Sequence, residues 1–305
     1  MDTSTHRVWL CASLLICSTT TVQAADTSPG FTSKPLAGSV HLLEGYECNN
    51  VASAGDDGIV LVDTCGAKVA GKLLAAAQSL SSKPLRFVIN THVHRDHTDG
   101  NALFQKLAPV IASSNVRKWL ISGNEVTKDK PSLPEGLPVV TFEGEMTLHL
   151  NGEEIRLLKL PPAHTDGDVV VFFKKANVVA MGDVFMAMGD VSKAPPISFG
   201  DRHYGGGMLR LMETVEFLLP QIPADAKVVP GHGVVGSRAD LAGGLDVMKQ
   251  MKAIVENGVR AGKTLEQLQA ERPFDKFRSS FPSWSSSDKS LDGSVRNFYR
   301  ELTPK

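Results

Sequence analysis

Neither sign of charge is in excess: 32 Lys and Arg stand against 33 Asp and Glu, a net charge of −1 over 305 residues. That excludes a general electrostatic attraction to nucleic acid or to an anionic membrane surface. No run of like charges, no low-complexity tract and no repeat with a period of about 20–50 residues is present, which argues against a solenoid or propeller. No strand is followed by a dinucleotide-type Gly-x-Gly-x-x-Gly. Gly-x-Ser-x-Gly and the phosphate-binding loop are also missing, so those enzyme classes lack their usual signatures. Trp119, Trp284 and the Met and Phe stripes at helical spacing read as core packing. What remains is ordinary globular composition, 42% apolar and 21% charged, on a chain long enough for one large domain or two small ones.

The first 24 residues read as a targeting segment. His6 and Arg7 give a basic start, Val8–Cys17 is mostly apolar, and Val22-Gln23-Ala24 has small residues at the positions a signal peptidase reads. The apolar stretch falls short of the roughly 20 residues of a membrane span. An N-terminal anchor or a buried helix is the alternative; a lipoprotein would use Cys17, but bulky Ile16 precedes it. The expected product is a secreted or periplasmic protein cleaved near Ala24, with no stable membrane insertion afterwards.

Cleavage removes Cys11 and Cys17 and leaves Cys48 and Cys65. Between these two lies Gly55-Asp56-Asp57-Gly58, a turn signal. If Asp56-Asp57 is a hairpin tip, the cysteines are equidistant from it and face each other. A disulfide and a pair of reduced thiols both remain open.

Segments then alternate in type. Strands are expected at Gly58–Val62, Leu85–Asn90 and Val110-Ile111, and helices over 67–80, 101–107 and 115–121. Met146, Leu148 and Leu150 alternate outward from Asn151-Gly152, a strong hairpin turn, and Ile155 and Leu157 return. A second hairpin joins Val169–Phe173 to Val178–Met181. An amphipathic helix follows at 208–219, a strand at 227–229, and helices at about 237–258, 264–271 and 289–301. Strands interleaved with helices and hairpins point to a layered α/β sandwich of mixed sheets.

The informative peptide is Asn90-Thr91-His92-Val93-His94-Arg95-Asp96-His97. Three imidazoles and a carboxylate directly after a buried strand are the donor types that suit zinc, and also iron or manganese. Extended residues two apart share a side, so His92 and His94 can hold one ion; Asp96 and His97 follow a bend and can turn to another. His164, Asp183 and His232 recur later, each on a Gly-flanked loop at a strand end, where sites are usually built. His41 and His149 read as ordinary surface or core residues.

With these residues in this order, the chain resembles the metallo-β-lactamase superfamily over roughly Val40 to Val235. All five family motifs have a match: Asp63; His92, His94, Asp96 and His97; His164; Asp183; His232. The resemblance implies a four-layer αβ/βα sandwich over 25–236 with the site at one edge. A helical C-terminal extension, 237–305, is expected to pack on it. It also implies one zinc held by His92, His94 and His164, a second held by Asp96, His97 and His232, Asp183 bridging both, and Asp63 supporting the ligands. A divalent ion on three neutral imidazoles is strongly Lewis acidic and brings the pKa of water near 7. Asp96 is then the catalytic group that orients the attacking hydroxide and moves its proton, and the outcome is hydrolysis.

Familiar β-lactamases of this fold usually have Cys or Ser where this chain has Asp183. Asp there looks more like glyoxalase II, lactonases and general hydrolases. Lys252, Arg260 and Lys263 in the tail do not match the glutathione contacts of glyoxalase II. Lys193, Arg202, His203 and Tyr204, on the irregular stretch after Asp183, are the candidates for holding a substrate carboxylate.

The leading expectation is an exported dinuclear zinc hydrolase of small carbonyl substrates: β-lactam, lactone, ester or thioester. Phosphodiester hydrolysis, a mononuclear iron redox enzyme of the same fold and an accessory protein without turnover are the alternatives. Fused to a reporter that works only after export, residues 1–30 should direct export and the mature chain should begin near Ala25. An intact Met1 on soluble cytoplasmic protein contradicts this.

Overall fold

The computed structural model describes residues 1, 30–45, 48–188, 191–281 and 286–304. The expected targeting segment with Cys11 and Cys17, and Trp284, lie outside the described residues. The strand Val169–Phe173 explains the layering, because its five apolar residues are all buried. Successive side chains on a strand point to opposite faces. Val169, Val171 and Phe173 therefore enter one core, and Val170 and Phe172 enter another. A sheet with both faces apolar needs cover on both.

The strands are β1 (Thr32–Ala37), β2 (Val40–Glu44), β3 (Asn49–Gly55), β4 (Gly58–Val62), β5 (Leu85–Ile89), β6 (Val110–Ser113), β7 (Val140–Phe142), β8 (Glu145–Leu150), β9 (Glu153–Lys159), β10 (Val169–Phe173), β11 (Val178–Ala180), β12 (Met186–Ala187), β13 (Lys227–Val229), β14 (His232–Gly233) and β15 (Gly236–Ser237). One sheet runs β1 to β7 in chain order; the other has the order β15-β13-β11-β10-β9-β8, and β12 pairs with β14. In the first sheet β1 to β4 are antiparallel and β4 to β7 parallel. The helices are α1 (Ala70–Gln78), α2 (Arg95–Thr98), α3 (Asn101–Phe104), α4 (Ser114–Ser122), α5 (Met208–Leu218), α6 (Arg238–Arg260), α7 (Leu265–Ala270) and α8 (Asp288–Leu302).

Three cores follow from strand alternation. Val60, Val62 and Ile89 of the first sheet meet Leu157, Val171 and Val229 of the second between the sheets. On the outer face of the first sheet, Leu43, Leu61 and Val88 pack under Leu73 of α1 and Phe104 of α3. On the outer face of the second, Phe172 and Val228 pack under Leu211 of α5, Met251 of α6, Leu268 of α7 and Phe298 of α8. This is the expected αβ/βα sandwich, and α6 to α8 share the core of α5. Each fully buried Leu or Phe contributes about 1.5–3 kcal/mol of transfer free energy. α6 starts where its sequence says it should: Ser237 accepts from the Asp240 backbone N–H, and Asp240 accepts from that of Ser237. Among the described residues no helix is long and apolar enough to cross a membrane.

The hairpins form as their turn residues dictate. Asn151 and Gly152 take φ of 55° and 69°, and Leu148 pairs with Ile155 and Met146 with Leu157. In the β3–β4 hairpin Val51 pairs with Val62 and Gly55 with Gly58. Beyond its ladder Cys48 and Cys65 meet as buried thiols. β1 has no counterpart among the strands expected from the sequence. It is an edge strand, mostly exposed and carrying Pro35, so it has neither alternation nor an uninterrupted run to betray it.

Asn151 also joins the sheets. Its side chain accepts from the Asp57 N–H at 3.1 Å and donates to Gly58 O at 2.9 Å, and its own N–H donates to Asp57 Oδ2 at 2.7 Å. Asn151→Ala removes the side-chain bonds and places Ala at positive φ. It should destabilise the fold by about 1–3 kcal/mol with an unchanged denaturant m-value. A shift within about 0.5 kcal/mol, that of an ordinary surface substitution, contradicts the role.

Candidate metal centre

β5 delivers the His-rich peptide into a rigid corner. Asn90 exchanges hydrogen bonds with Asn101, at 3.0 and 2.8 Å. Asp63, just past β4, is 1% exposed and sits at φ 62°. It accepts from the Thr91 N–H, the Thr91 hydroxyl and His97 Nδ1, each at 2.8 Å. Val93 enters the apolar cluster with Ala112 and Val116. That leaves His92 and His94 on the other side, while α2 swings Asp96 and His97 around.

The remaining residues come from the second sheet. His164 follows β9 on a loop braced by buried Asp168, which accepts from the Thr165 N–H at 2.9 Å and the Thr165 hydroxyl at 2.6 Å; burial pushes the Asp168 carboxyl up to about 7. Asp183 lies in the turn after β11, and His232 begins β14. Gly231 permits their approach, because a Cβ there would stand 1.9 Å from Asp183 Oδ1.

Two donor clusters result: His92, His94, His164 and Asp183; and Asp96, His97 and His232. In the first, His94 Nδ1 is 3.2 Å from His92 Nε2 and 3.0 Å from His164 Nε2. Asp183 Oδ2 is 3.8 and 3.6 Å from those two Nε2 atoms. In the second, His232 Nε2 is 3.1 Å from Asp96 Oδ2 and 3.3 Å from His97 Nε2. Asp183 Oδ1 faces this second cluster, 3.3 Å from His97 and 3.5 Å from His232. A tetrahedral ion with arms of about 2.0–2.1 Å spaces its donors by about 3.3 Å, so both clusters have the right size.

Outer partners decide what the imidazoles present. His97 Nδ1 donates to Asp63, and His94 Nε2 donates to Asp201 Oδ2 at 3.0 Å. His164 Nδ1 donates to the Phe199 carbonyl at 2.7 Å. The Thr91 hydroxyl spends its proton on Asp63, so it accepts from His92 Nδ1 at 3.0 Å. With one ring nitrogen thus protonated outward, four imidazoles turn bare lone pairs inward. Lone pairs cannot hydrogen-bond one another, so protons or cations must lie among them. Buried Asp183 Oδ1 also accepts no hydrogen bond of normal geometry among the described residues. The residues present therefore fit two metal ions.

The metal-free electrostatics show the same demand. Burial opposes charge on His232 and His97, yet carboxylates outweigh it. Asp183 and Asp96 push His232 up to about 10, and Asp183 and Asp63 hold His97 well above the usual imidazole range. Burial likewise opposes charge on Asp183, but His97 and His232 hold it well below the carboxylate range. His164 drops to about 4, burial being the largest cause.

A cavity of about 360 Å³ opens on the site, walled by Met186, Met188 and Phe199 beside His94, Asp96, His164, Asp183 and His232. Arg202 and His203 line an adjoining cavity of about 420 Å³ with Phe199, Asn297 and Arg300. Lys193 is exposed in the turn at 191–194 and lines neither. Tyr204 departs from the expectation of a substrate contact. It is buried, its ring stands 5.2 Å from that of His94, and its hydroxyl donates to Asp129. Its apolar ring fills the space behind His94. Asp201, Asp168 and Asn49 carry no sequence signal, since none of them stands in a motif.

Zinc needs the bare Nε2 of both His232 and His97, whereas without metal the neighbouring carboxylates, against the effect of burial, push His232 up to about 10 and hold His97 well above the usual imidazole range. Zinc uptake at neutral pH should therefore release protons, and affinity at this position should rise with pH by about tenfold per pH unit for each proton released. Calorimetry in buffers of different protonation enthalpy reads the release. Affinity unchanged between about pH 6 and 8 contradicts it.

A family model of the metallo-beta-lactamase superfamily matches residues 38–232. Among curated proteins, the chain is 27% identical over 205 residues to "Probable metallo-hydrolase" from Methanocaldococcus jannaschii, covering 64% of this chain and 91% of that one. It is 27% identical over 165 residues to 2,4-dinitroanisole O-demethylase subunit alpha from a Nocardioides strain, covering 53% of this chain; it spans only 48% of that subunit. Among solved structures, a metallo-beta-lactamase from Pontibacter korlensis superposes with a TM-score of 0.59 at 21% identity, covering 72% of this chain and 99% of its own. The DIM-1 metallo-beta-lactamase does so with 0.57 at 19%, covering 73% and 98%. At such identities these two speak for the fold, while the family match runs from just before β2 to His232, the stretch that carries both donor clusters. The chain belongs to the metallo-beta-lactamase superfamily and is a metal-dependent hydrolase with a His/Asp metal-binding site.

Proposed function

We propose that the protein is an exported dinuclear zinc hydrolase of small carbonyl substrates, such as a β-lactam, lactone, ester or thioester. The observation that carries this reading is the placement of Asp183, with Oδ2 toward one imidazole cluster and Oδ1 toward the other. His92, His94 and His164 would hold one ion and Asp96, His97 and His232 the second, with Asp183 between them. Imidazole and carboxylate donors without thiolate suit zinc, and also iron or manganese. Once bound, the ions supply Lewis acidity to a carbonyl oxygen and bring the pKa of water close to neutrality.

The chain's own groups do the rest. Asp96, partly exposed to the cavity, would turn Oδ2 to the ion beside His232 and His97 and keep its other oxygen to orient the attacking water and take up its proton. Asp63 and Asp201 fix the His97 and His94 tautomers and raise the basicity of the nitrogens turned inward. Met186, Met188 and Phe199 give the substrate an apolar wall that thins out competing water. Arg202, His203 and Arg300 in the adjoining cavity offer donors for a substrate carboxylate. Export rests on the pattern of residues 1–24, and the intended partner is a small molecule.

Zinc analysis joined to a hydrolysis panel tests the reading: β-lactams, lactones, thioesters, phosphodiesters and, given the O-demethylase relative, an aryl methyl ether. The wild type should hold about two zinc ions per chain and turn over a carbonyl substrate. Asp183→Asn keeps the shape but removes the charge. It should lose one zinc and more activity than the about 10–100-fold that loss of an outer partner costs. If Asp183 merely caps its loop, the variant binds two zinc ions and loses only about 1 kcal/mol of stability; that result, or one iron per chain, overturns the proposal.

A further inference from the structure

One buried pair of reactive groups has no part in the chemistry above. Cys48 and Cys65 are 4% and 0% exposed, and their sulfurs lie 2.7 Å apart. A covalent S–S bond measures about 2.05 Å, so bond formation requires a shift of well under an ångström. Cys65 Sγ donates to Asn50 Oδ1 at 3.0 Å. Burial, then the neighbouring Cys65, pushes the Cys48 thiol well above its ordinary range. A Cys48 thiolate is therefore scarce in the folded protein, which disfavours a role as nucleophile. Oxidation while the hairpin is still open during folding is the chemistry this placement favours.

Each cysteine adjoins a support of the second donor cluster. Asn49, next to Cys48, donates from its backbone to Gly231 O at 2.8 Å and from its side chain to Pro230 O and Gly233 O at 3.0 and 2.8 Å. It thus fixes both flanks of His232. On the other side, Asp63 accepts from His97, and Thr64 donates to His97 O from its backbone at 2.9 Å and its hydroxyl at 3.0 Å. Cys65 O accepts from the Gly100 N–H at 2.9 Å, just past α2.

We propose that Cys48 and Cys65 form a disulfide that clamps the supports of His97 and His232 together, so that retention of the second metal depends on thiol oxidation. The oxidant is a disulfide, a small one such as oxidised glutathione or that of a thiol oxidoreductase. One cysteine sulfur attacks it and releases one thiol. The second cysteine sulfur displaces the mixed disulfide and releases the other. Two protons and two electrons leave the protein with those thiols. The coupling rests on the reading that Asp96, His97 and His232 hold an ion; the disulfide does not.

Full-length chain folded with a phosphine reductant is compared with chain folded in a glutathione redox buffer. Both are denatured, alkylated and cleaved on the N-terminal side of Asp57, which separates the cysteines unless a bond joins them. The glutathione sample should yield the joined fragments, two hydrogens lighter than their sum, and the reduced sample two alkylated ones. The native oxidised form should hold its second zinc against a chelator about tenfold more tightly, the lower end of what an outer support is worth. In the Cys48→Ser/Cys65→Ser variant this response to the redox buffer should vanish; if that variant does not fold, the wild-type comparison still decides. Alkylated or Cys11- or Cys17-linked fragments from the glutathione sample overturn the disulfide. Equal zinc retention in the two forms overturns the coupling. Absence of zinc from both, with the disulfide formed, overturns the metal reading and the coupling with it.

Discussion

Imidazole lone pairs turned toward one another repel, and this protein turns four of them inward. His92, His94 and His164 bring theirs within 3.0–3.2 Å, and His97 faces His232 at 3.3 Å. Only cations or protons make such an arrangement stable, and two carboxylates, Asp96 and Asp183, stand ready to share them. The surrounding structure serves to hold the donors against that repulsion. Asp63, Thr91, Asp201 and the Phe199 carbonyl each take an outward ring nitrogen, which both fixes a tautomer and removes the freedom of the ring to turn away. The cost is concentrated in a few residues: Asp63 and Gly182 lie at positive φ, and Gly231 has no room for a side chain.

The sandwich explains why these donors meet. β5, β9, β11 and β13 bury their apolar faces in the cores, and their polar continuations emerge at one edge. His92 to His97 come from the first sheet and His164, Asp183 and His232 from the second, so the site spans both halves. The Asn49 side chain ties the end of one sheet to the His232 loop of the other. Damage to the interface between the sheets should therefore reach the metal position as well as the stability.

Local patterns were legible in the sequence; long-range partners were not. The β8–β9 turn was readable because Asn-Gly forces positive φ at adjacent residues. The β3–β4 register was readable because a short acidic turn fixes equidistant pairs. The His-rich peptide was readable because its donors lie within six residues. His164, Asp183 and His232 became readable only in order, beside that peptide. Asp201 stayed hidden because it meets His94 across 107 positions, on an irregular stretch with no period. Asn49 was hidden for the same reason, its partners lying more than 180 positions away. Tyr204 was misplaced because its neighbours Arg202 and His203 are exposed, and nothing local marks it as the buried member of the three. β1 escaped because an exposed edge strand is under no pressure to alternate.

In this arrangement the inward lone pairs and the two oxygens of Asp183 would hold two ions at once. Anomalous diffraction at the zinc edge from zinc-loaded crystals tests it most directly. Two peaks per chain are expected, one about 2.0–2.2 Å from donors of His92, His94 and His164, the other at the same distance from donors of Asp96, His97 and His232, with one Asp183 oxygen on each. A single peak, or two peaks with Asp183 turned away from both, would contradict it.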